Sequence, residues 1–231
     1  MRLLVIGGVA GGASAAARVR RLDEHAEITI LERGAHVSFS NCSLPYYLGG
    51  IVAEEGDLVM MTPESFRSQY HIDVQVNTEA IAIDRTAKRV TAQNVITGET
   101  REYDYDKLVL APGASPVMPQ SITGIDGERV FSVRNVTDIT RVKACMDQEN
   151  TRNVAVVGGG FIGIEVAENL CRAGKHVTLL EGLDQVMPPF DCDMAQMFHR
   201  EISDSGVDLR LGSTVTAISP QGVTAQRKGE T

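Results

Sequence analysis

No two of the four cysteines, Cys42, Cys145, Cys171 and Cys192, stand in a CxxC or CxxxxC spacing, which leaves out both a zinc site and a vicinal redox pair. Any redox role therefore has to use one sulfur. The five histidines, His25, His36, His71, His176 and His199, show no spacing that suggests a metal or a general base. They read as surface or loop residues, and no metal is expected. No run reaches the roughly 18 apolar residues that a membrane span requires. The balance of 22 basic against 30 acidic side chains, formally −8, argues against a polyanion-binding role and suits a soluble cytoplasmic protein. Tryptophan is absent and aromatics are few, which by itself excludes nothing.

Glycine, in contrast, is plentiful and ordered. Leu3-Leu4-Val5-Ile6 is a short apolar run bounded by glycine, the pattern of a fully buried parallel strand. It opens into Gly7-Gly8-Val9-Ala10-Gly11-Gly12, then helix formers to Leu22, then a second strand, Ile28 to Leu31, closing on Glu32. The apolar stretch Leu3 to Ala17 superficially resembles a secretory signal, but the glycine spacing and the run into Arg18-Val19-Arg20-Arg21 explain it better. The same βαβ plan recurs at Val154 to Val157, Gly158-Gly159-Gly160-Phe161-Ile162-Gly163, a helix from about Ile162 to Ala173, and Val177 to Leu180 ending on Glu181. Between the two units, Val74 to Ala92 reads as antiparallel strands, in the manner of a meander continuing through Thr97-Gly98. Lys107 to Leu110 returns as a buried strand ending at Ala111-Pro112-Gly113. A linker is expected from Val117 to Gly127, with a helix at Arg141 to Met146. After the second unit come a helix at Met194 to Asp204 and strands at Val207 to Leu211, Thr214 to Ile218 and Val223 to Gln226.

In the second loop Gly158, Gly160 and Gly163 match GxGxxG directly after a strand and at the mouth of a helix, where backbone N–H groups and the helix dipole face a pyrophosphate. Glu181, at the end of the next strand, would accept bonds from ribose hydroxyls and repel a 2′-phosphate, so NADH is expected over NADPH. The first loop has Gly7 and Gly12 but Val9 in the middle position, with Glu32 standing where the ribose-binding carboxylate should. For each loop, a structural glycine turn without a nucleotide is the alternative. The fold class is thus α/β, with two Rossmann-like dinucleotide-binding domains in three layers, a parallel sheet with an antiparallel meander.

The run Ser38-Phe39-Ser40-Asn41-Cys42-Ser43-Leu44-Pro45-Tyr46-Tyr47-Leu48-Gly49-Gly50 resembles the signature of the coenzyme A-disulfide reductases, the single-cysteine branch of the FAD-dependent pyridine nucleotide-disulfide oxidoreductases. Leu108 to Pro116 is similar to that family's second flavin-contacting segment, and Val133-Arg134-Asn135-Val136-Thr137-Asp138 is another match. The resemblance implies FAD at Gly7, Gly8, Val9, Ala10, Gly11, Gly12, Glu32, Arg33, Ala80, Ala111, Pro112 and Gly113. It implies NADH at Gly158, Gly160, Phe161, Ile162, Gly163, Glu165 and Glu181, with Glu165 near the nicotinamide unless it is a plain helix-surface glutamate. Cys42 would be the catalytic thiol, alternating with a mixed disulfide to coenzyme A. A helix beginning near Ser43 would put it at a positive helix end, favouring the thiolate; a buried structural thiol is the alternative. Cys145 and Cys171 are expected to be inert and buried. Ser14, Arg18, Arg21, Ser38 and Asn41 match substrate-contacting positions, although Arg18 and Arg21, three apart on one helix face, would also suit a solvated basic face.

Peroxidases and water-forming NADH oxidases resemble the chain too, but carry histidine at the place of Ala10, which speaks against peroxide chemistry here. The expected activity is electron transfer from NADH through FAD and Cys42 to coenzyme A disulfide or a related disulfide or persulfide. An NADH oxidase and a non-catalytic nucleotide-binding fragment are the alternatives. Family members are longer, with a second flavin segment ending in Gly-Asp and a dimerisation domain, so the resemblance implies a homodimeric full-length protein and a C-terminally truncated chain whose own turnover is doubtful. The expected domains are 1–116 for FAD, 117–150 for linker and the start of the second domain, and 151–231 for an incomplete NAD(H) domain with an exposed apolar sheet edge.

Overall fold

The computed structural model describes residues 1–228 and divides the chain into two compact units. One comprises Met1–Ser40 with Gly56–Ser115; the other takes Asn41–Glu55 together with the residues from Pro116 onward. The stretch around Cys42 therefore packs with the second unit, not with the 1–116 range in which the sequence order places it. The first part of the chain runs β1 (Arg2–Ile6), α1 (Ala10–Leu22), β2 (Glu27–Leu31), α2 (Leu44–Leu48), α3 (Pro63–Tyr70), β3 (Ile72–Gln75), β4 (Thr78–Asp84), β5 (Arg89–Asn94), β6 (Thr100–Asp104) and β7 (Lys107–Leu110). Of these, α2 belongs to the second unit.

In the first unit a parallel sheet has the order β3-β2-β1-β7, with Leu3 beside Ile28 and Lys107. Its central strand alternates between two cores. Leu3 and Val5 join Ile28, Ile30, Phe66 and Ile72 on the helical side, and Leu4 joins Leu31, Val90 and Ala92 on the other. Both faces are covered, which is why β1 reads as an unbroken apolar run. The second core lies under the antiparallel sheet β4-β5-β6, giving three layers as expected. Val74, expected in the meander, instead sits in β3 as a fourth parallel strand against β2. An alternating strand is ambiguous between the two settings until its partner is known.

The second unit contains α4 (Val136–Met146), β8 (Asn153–Val157), α5 (Phe161–Arg172), β9 (His176–Leu180), α6 (Cys192–Asp204), β10 (Asp208–Arg210), β11 (Ser213–Ser219) and β12 (Gly222–Arg227). The parallel sheet has the order β10-β9-β8, and β11 pairs with β12. Helix α4 starts five residues earlier than its apolar pattern suggests because Asn135 caps it, its Oδ1 accepting the Asp138 N–H at 2.8 Å. Helix α2 packs against α4 and α5. Among the described residues, β7 and β8 each pair on one side only, and Leu110 and Val157 at their ends are 60% and 54% exposed.

Candidate functional site

The two glycine loops are built alike. In the first, Gly7 has φ +95°, and a Cβ on Gly12 would lie 2.9 Å from the Gly7 carbonyl carbon and nearer still to its oxygen. Only glycine permits this turn and this approach of helix to strand. The Gly8 N–H donates to Glu32 Oε2 at 2.8 Å, and Glu32 Oε1 accepts the Gly34 N–H at 2.8 Å. In the second, Gly158 has φ +106° and a Cβ on Gly163 would lie 3.1 Å from the Gly158 carbonyl carbon, again nearer to the oxygen. The Gly159 N–H donates to Glu181 Oε2 at 2.6 Å, and Glu181 Oε1 accepts the Leu183 N–H at 2.8 Å.

Both loops open onto uncapped helix starts. Neither α1 nor α5 has a side-chain cap or an acidic residue in its first turn, so their leading N–H groups face outward as anion donors. Each carboxylate is oriented by two backbone donors and retains further lone pairs for hydroxyls. One of the differences between the loops bears on close approach: a Cβ on Gly160 meets nothing within 4 Å, whereas Val9 fills the matching position.

The second loop has a support that its glycine pattern does not disclose. The Gly159 carbonyl accepts the Met187 N–H at 2.8 Å, and the adjacent Val186 N–H donates to His199 Nε2 at 3.1 Å. His199 is 9% exposed on α6, which corrects its reading as a surface residue, and burial pulls its pKa below the ordinary 6.5. Its position between Ala195 and Ile202 on the buried stripe of α6 is the sequence signal that could have found it.

Cys42 is exposed, within a 3-10 turn (Asn41–Ser43) that leads into α2. The helix expected near Ser43 is present, but it is five residues long, and Cys42 precedes its cap residue Ser43. Tight packing seats α2 on α5. A Cβ on Gly49 would lie 3.1 Å from Asn169 Cγ and closer to Oδ1. Asn169 is 1% exposed; its amide nitrogen donates to the Glu165 carbonyl at 2.8 Å, and Oδ1 has no hydrogen-bond partner. Cys192 is also exposed, whereas Cys145 and Cys171 are half-buried, not sealed away as expected, with burial raising the Cys171 thiol pKa.

The remaining expected positions divide between the units. Ser14, Arg18 and Arg21 are exposed on α1, and Ser38 is half-buried with φ 50°, its N–H donating to the Gly8 carbonyl at 2.9 Å; these belong to the first unit. Asn41 is exposed and belongs with Cys42 to the second. Arg33 lies 3.5 Å from Glu79, and Ala80 is half-buried beside the irregularity in the β4–β5 register. The Ala111 N–H donates to the Ile6 carbonyl at 2.8 Å, ahead of exposed Pro112 and Gly113. Phe161 and Ile162 are exposed in the first turn of α5, with half-buried Glu165 one turn on. Among the described residues no group of three or more His, Cys, Asp or Glu is placed to hold a metal, and no helix is long and apolar enough to cross a membrane.

Two Gly-rich βαβ units, each with its own strand-end carboxylate, and an exposed cysteine without a CxxC partner define a class: oxidoreductases that pair a flavin with a nicotinamide nucleotide. The chain belongs to the pyridine nucleotide-disulphide oxidoreductase family, whose model matches residues 1–231. It is 38% identical over 223 residues to a coenzyme A disulfide reductase of Staphylococcus haemolyticus, covering 96% of this chain and 50% of the relative. The structure of reduced CoADR-RHD from Bacillus anthracis is 43% identical with a TM-score of 0.93, covering 97% of this chain and 41% of that one. A water-forming NADH oxidase from Lactobacillus brevis, solved bound to NADH, is 33% identical with a TM-score of 0.90, covering 100% of this chain and 51% of that one. The chain spans about half the length of the curated relatives it matches.

Proposed function

We propose that this chain supplies the nucleotide- and thiol-bearing part of an NADH-dependent flavoprotein that reduces coenzyme A disulfide, or a related disulfide or persulfide, through Cys42. The observation that carries the reading is the placement of Cys42: exposed, and held by α2 on the helix that opens from the second glycine loop. Similarity to coenzyme A disulfide reductases over nearly the whole chain supports the choice of substrate class. Glu181, held by the Gly159 and Leu183 N–H groups, supports NADH over NADPH, because a fixed carboxylate binds ribose hydroxyls and repels a 2′-phosphate. Ser14, Arg18, Arg21, Ser38 and Asn41 are the side chains assigned to the coenzyme A portion.

The Cys42 thiolate attacks one sulfur of the disulfide; a bond from Cys42 to coenzyme A forms, the original S–S bond breaks, and one coenzyme A thiolate leaves. Bound FAD would supply the two-electron connection from NADH that returns Cys42 to the thiol state and releases the second coenzyme A. Gly7, Gly12, Glu32 and the first-turn N–H groups of α1 would hold the flavin nucleotide, and Gly158, Gly160, Gly163 and Glu181 the nicotinamide one.

The first half of this sequence is tested without any cofactor. The reduced chain is treated with coenzyme A disulfide and mapped by mass spectrometry. The expected product is a coenzyme A adduct at Cys42 with one thiol released per chain, and Cys192, the other exposed cysteine, serves as the internal control. An adduct at Cys192 with none at Cys42 overturns the reading. Similarity to the L. brevis enzyme makes oxygen the rival acceptor. NADH-driven oxygen uptake that survives Cys42→Ser would favour it.

A further inference from the structure

The segment after β9 returns to the second glycine loop and grips it at Gly159. The Gly159 N–H is tied to Glu181 at 2.6 Å, its carbonyl is tied to the Met187 N–H at 2.8 Å, and a Cβ added to it would come within 2.7 Å of Val186 Cγ1. Val186 is fully buried, and Met187 is held at φ 52°, a left-handed conformation that costs a side-chain-bearing residue of order 1 kcal/mol and needs support from its surroundings. That support comes from α6: the buried Val186 N–H has His199 Nε2 as its acceptor at 3.1 Å. Only an imidazole without a proton on Nε2 can accept it.

We propose that His199, as a neutral imidazole, is a positioning residue for the nicotinamide-nucleotide loop, setting the Val186–Met187 segment that fixes Gly159. The inference rests on the assignment of that loop to the nicotinamide nucleotide. Protonation of His199 replaces an acceptor with a donor opposite the Val186 N–H and frees the segment, so nucleotide binding weakens as pH falls below the ordinary imidazole range. Burial opposes protonation and places the window below 6.5. Other titratable groups occupy the surrounding elements. Asp193, Arg200 and Glu201 lie on α6; Arg200 is near Asp204 at 3.5 Å. In the connection from β9, Glu181 is bound by two N–H groups, Asp184 pairs with Lys228, and Asp191 precedes α6; on β10, Asp208 pairs with Arg210.

Two variants separate the role from simple packing: His199→Gln, which keeps an uncharged acceptor, and His199→Leu, which leaves the Val186 N–H buried and unpaired. NAD+, which survives acid, is titrated by calorimetry between pH 8.0 and 5.5, and amide exchange is followed without nucleotide in peptides covering 158–163 and 184–188, with 78–94 as reference. Wild type should lose about tenfold in NAD+ affinity toward the acid end, the size of one net hydrogen bond. His199→Gln should bind within about threefold of wild type at pH 8 and show no such slope, while His199→Leu should be about tenfold weaker throughout. Exchange should quicken in both loop peptides, but not in the reference, on acidification of wild type and in His199→Leu at pH 8. Unchanged loop exchange under both conditions, or an acid slope retained by His199→Gln, overturns the proposal. Failure of every form to bind NAD+, with the exchange changes present, would overturn the nucleotide assignment and leave the positioning role standing.

Discussion

Replacing Gly160 and Gly163 by alanine, one at a time, should separate binding from folding within one loop. A Cβ on Gly163 would lie 3.1 Å from the Gly158 carbonyl carbon and closer to its oxygen, so α5 must back away from the end of β8. Overpacking of that kind costs about 1–3 kcal/mol, against which alanine returns up to about 1 kcal/mol of helix propensity. The melting temperature should fall by several degrees, since about 1 kcal/mol shifts a domain of this size by ~2–4 °C. Gly160 is the opposite case. Its φ of −80° and ψ of −176° are open to any residue, and its Cβ meets nothing within 4 Å. Alanine there should leave the melting temperature unchanged or raise it slightly, through the entropy removed from the unfolded chain. The space it enters is where a pyrophosphate would press against the backbone, and the same ~1–3 kcal/mol of crowding becomes about a 5- to 150-fold loss of NADH affinity. Nucleotide fluorescence titration and a thermal melt read the two effects separately. A Gly160→Ala protein that binds NADH as wild type does would refute the assignment of that loop. A Gly163→Ala protein that melts and binds normally would refute the packing argument.

Glu181→Ala should raise the ratio of NADPH to NADH affinity by about tenfold or more, the loss of one charge-assisted hydrogen bond together with relief of repulsion; a ratio that stays put in paired titrations removes the carboxylate from ribose recognition. Gly49→Ala drives a methyl group into the Asn169 carboxamide, which should cost about 1–3 kcal/mol and lift α2. Alkylation rates mapped by mass spectrometry should change at Cys42 while staying constant at Cys192, and parallel rates at both sites would show that the contact does not set the position of the cysteine.

What the sequence discloses here is what local chemistry dictates. Both glycine loops, their helices and their strand-end carboxylates follow from short-range constraints: a positive φ at Gly7 and Gly158, and close approaches at Gly12 and Gly163 that exclude every larger side chain. What it hides depends on partners distant in the chain. Val74 alternates as a meander strand would, and only its pairing with Ile30 makes it parallel. Cys42 follows the first βαβ unit in sequence, yet Gly49 meets Asn169, far along the chain, and that contact carries the cysteine segment into the other unit. The spacing of His199 with Ala195 and Ile202 marks it as buried, but its partner, the Val186 N–H, lies 13 positions away and leaves no motif.

The shared build of the two loops gives the contrast between Val9 and Gly160 its weight. Both have the same glycine turn, the same N–H to carboxylate tie at 2.8 and 2.6 Å, and helices that start without a side-chain cap. Were these loops merely economical ways to turn from strand to helix, the position between the shared glycines would be free to vary, and Gly160 would be a poor choice, since glycine raises the entropy of the unfolded chain with no steric need in the folded one. No protein atom lies within 4 Å of a Cβ placed on Gly160, so glycine there leaves room for a group that approaches from outside the chain. Val9, at φ −96° and ψ −140°, is under no such demand. A nucleotide on the first loop would have to clear the Val9 side chain, resting more on the α1 N–H groups and Glu32. One chain thus carries two glycine loops of common turn geometry with unequal room for close approach at this position.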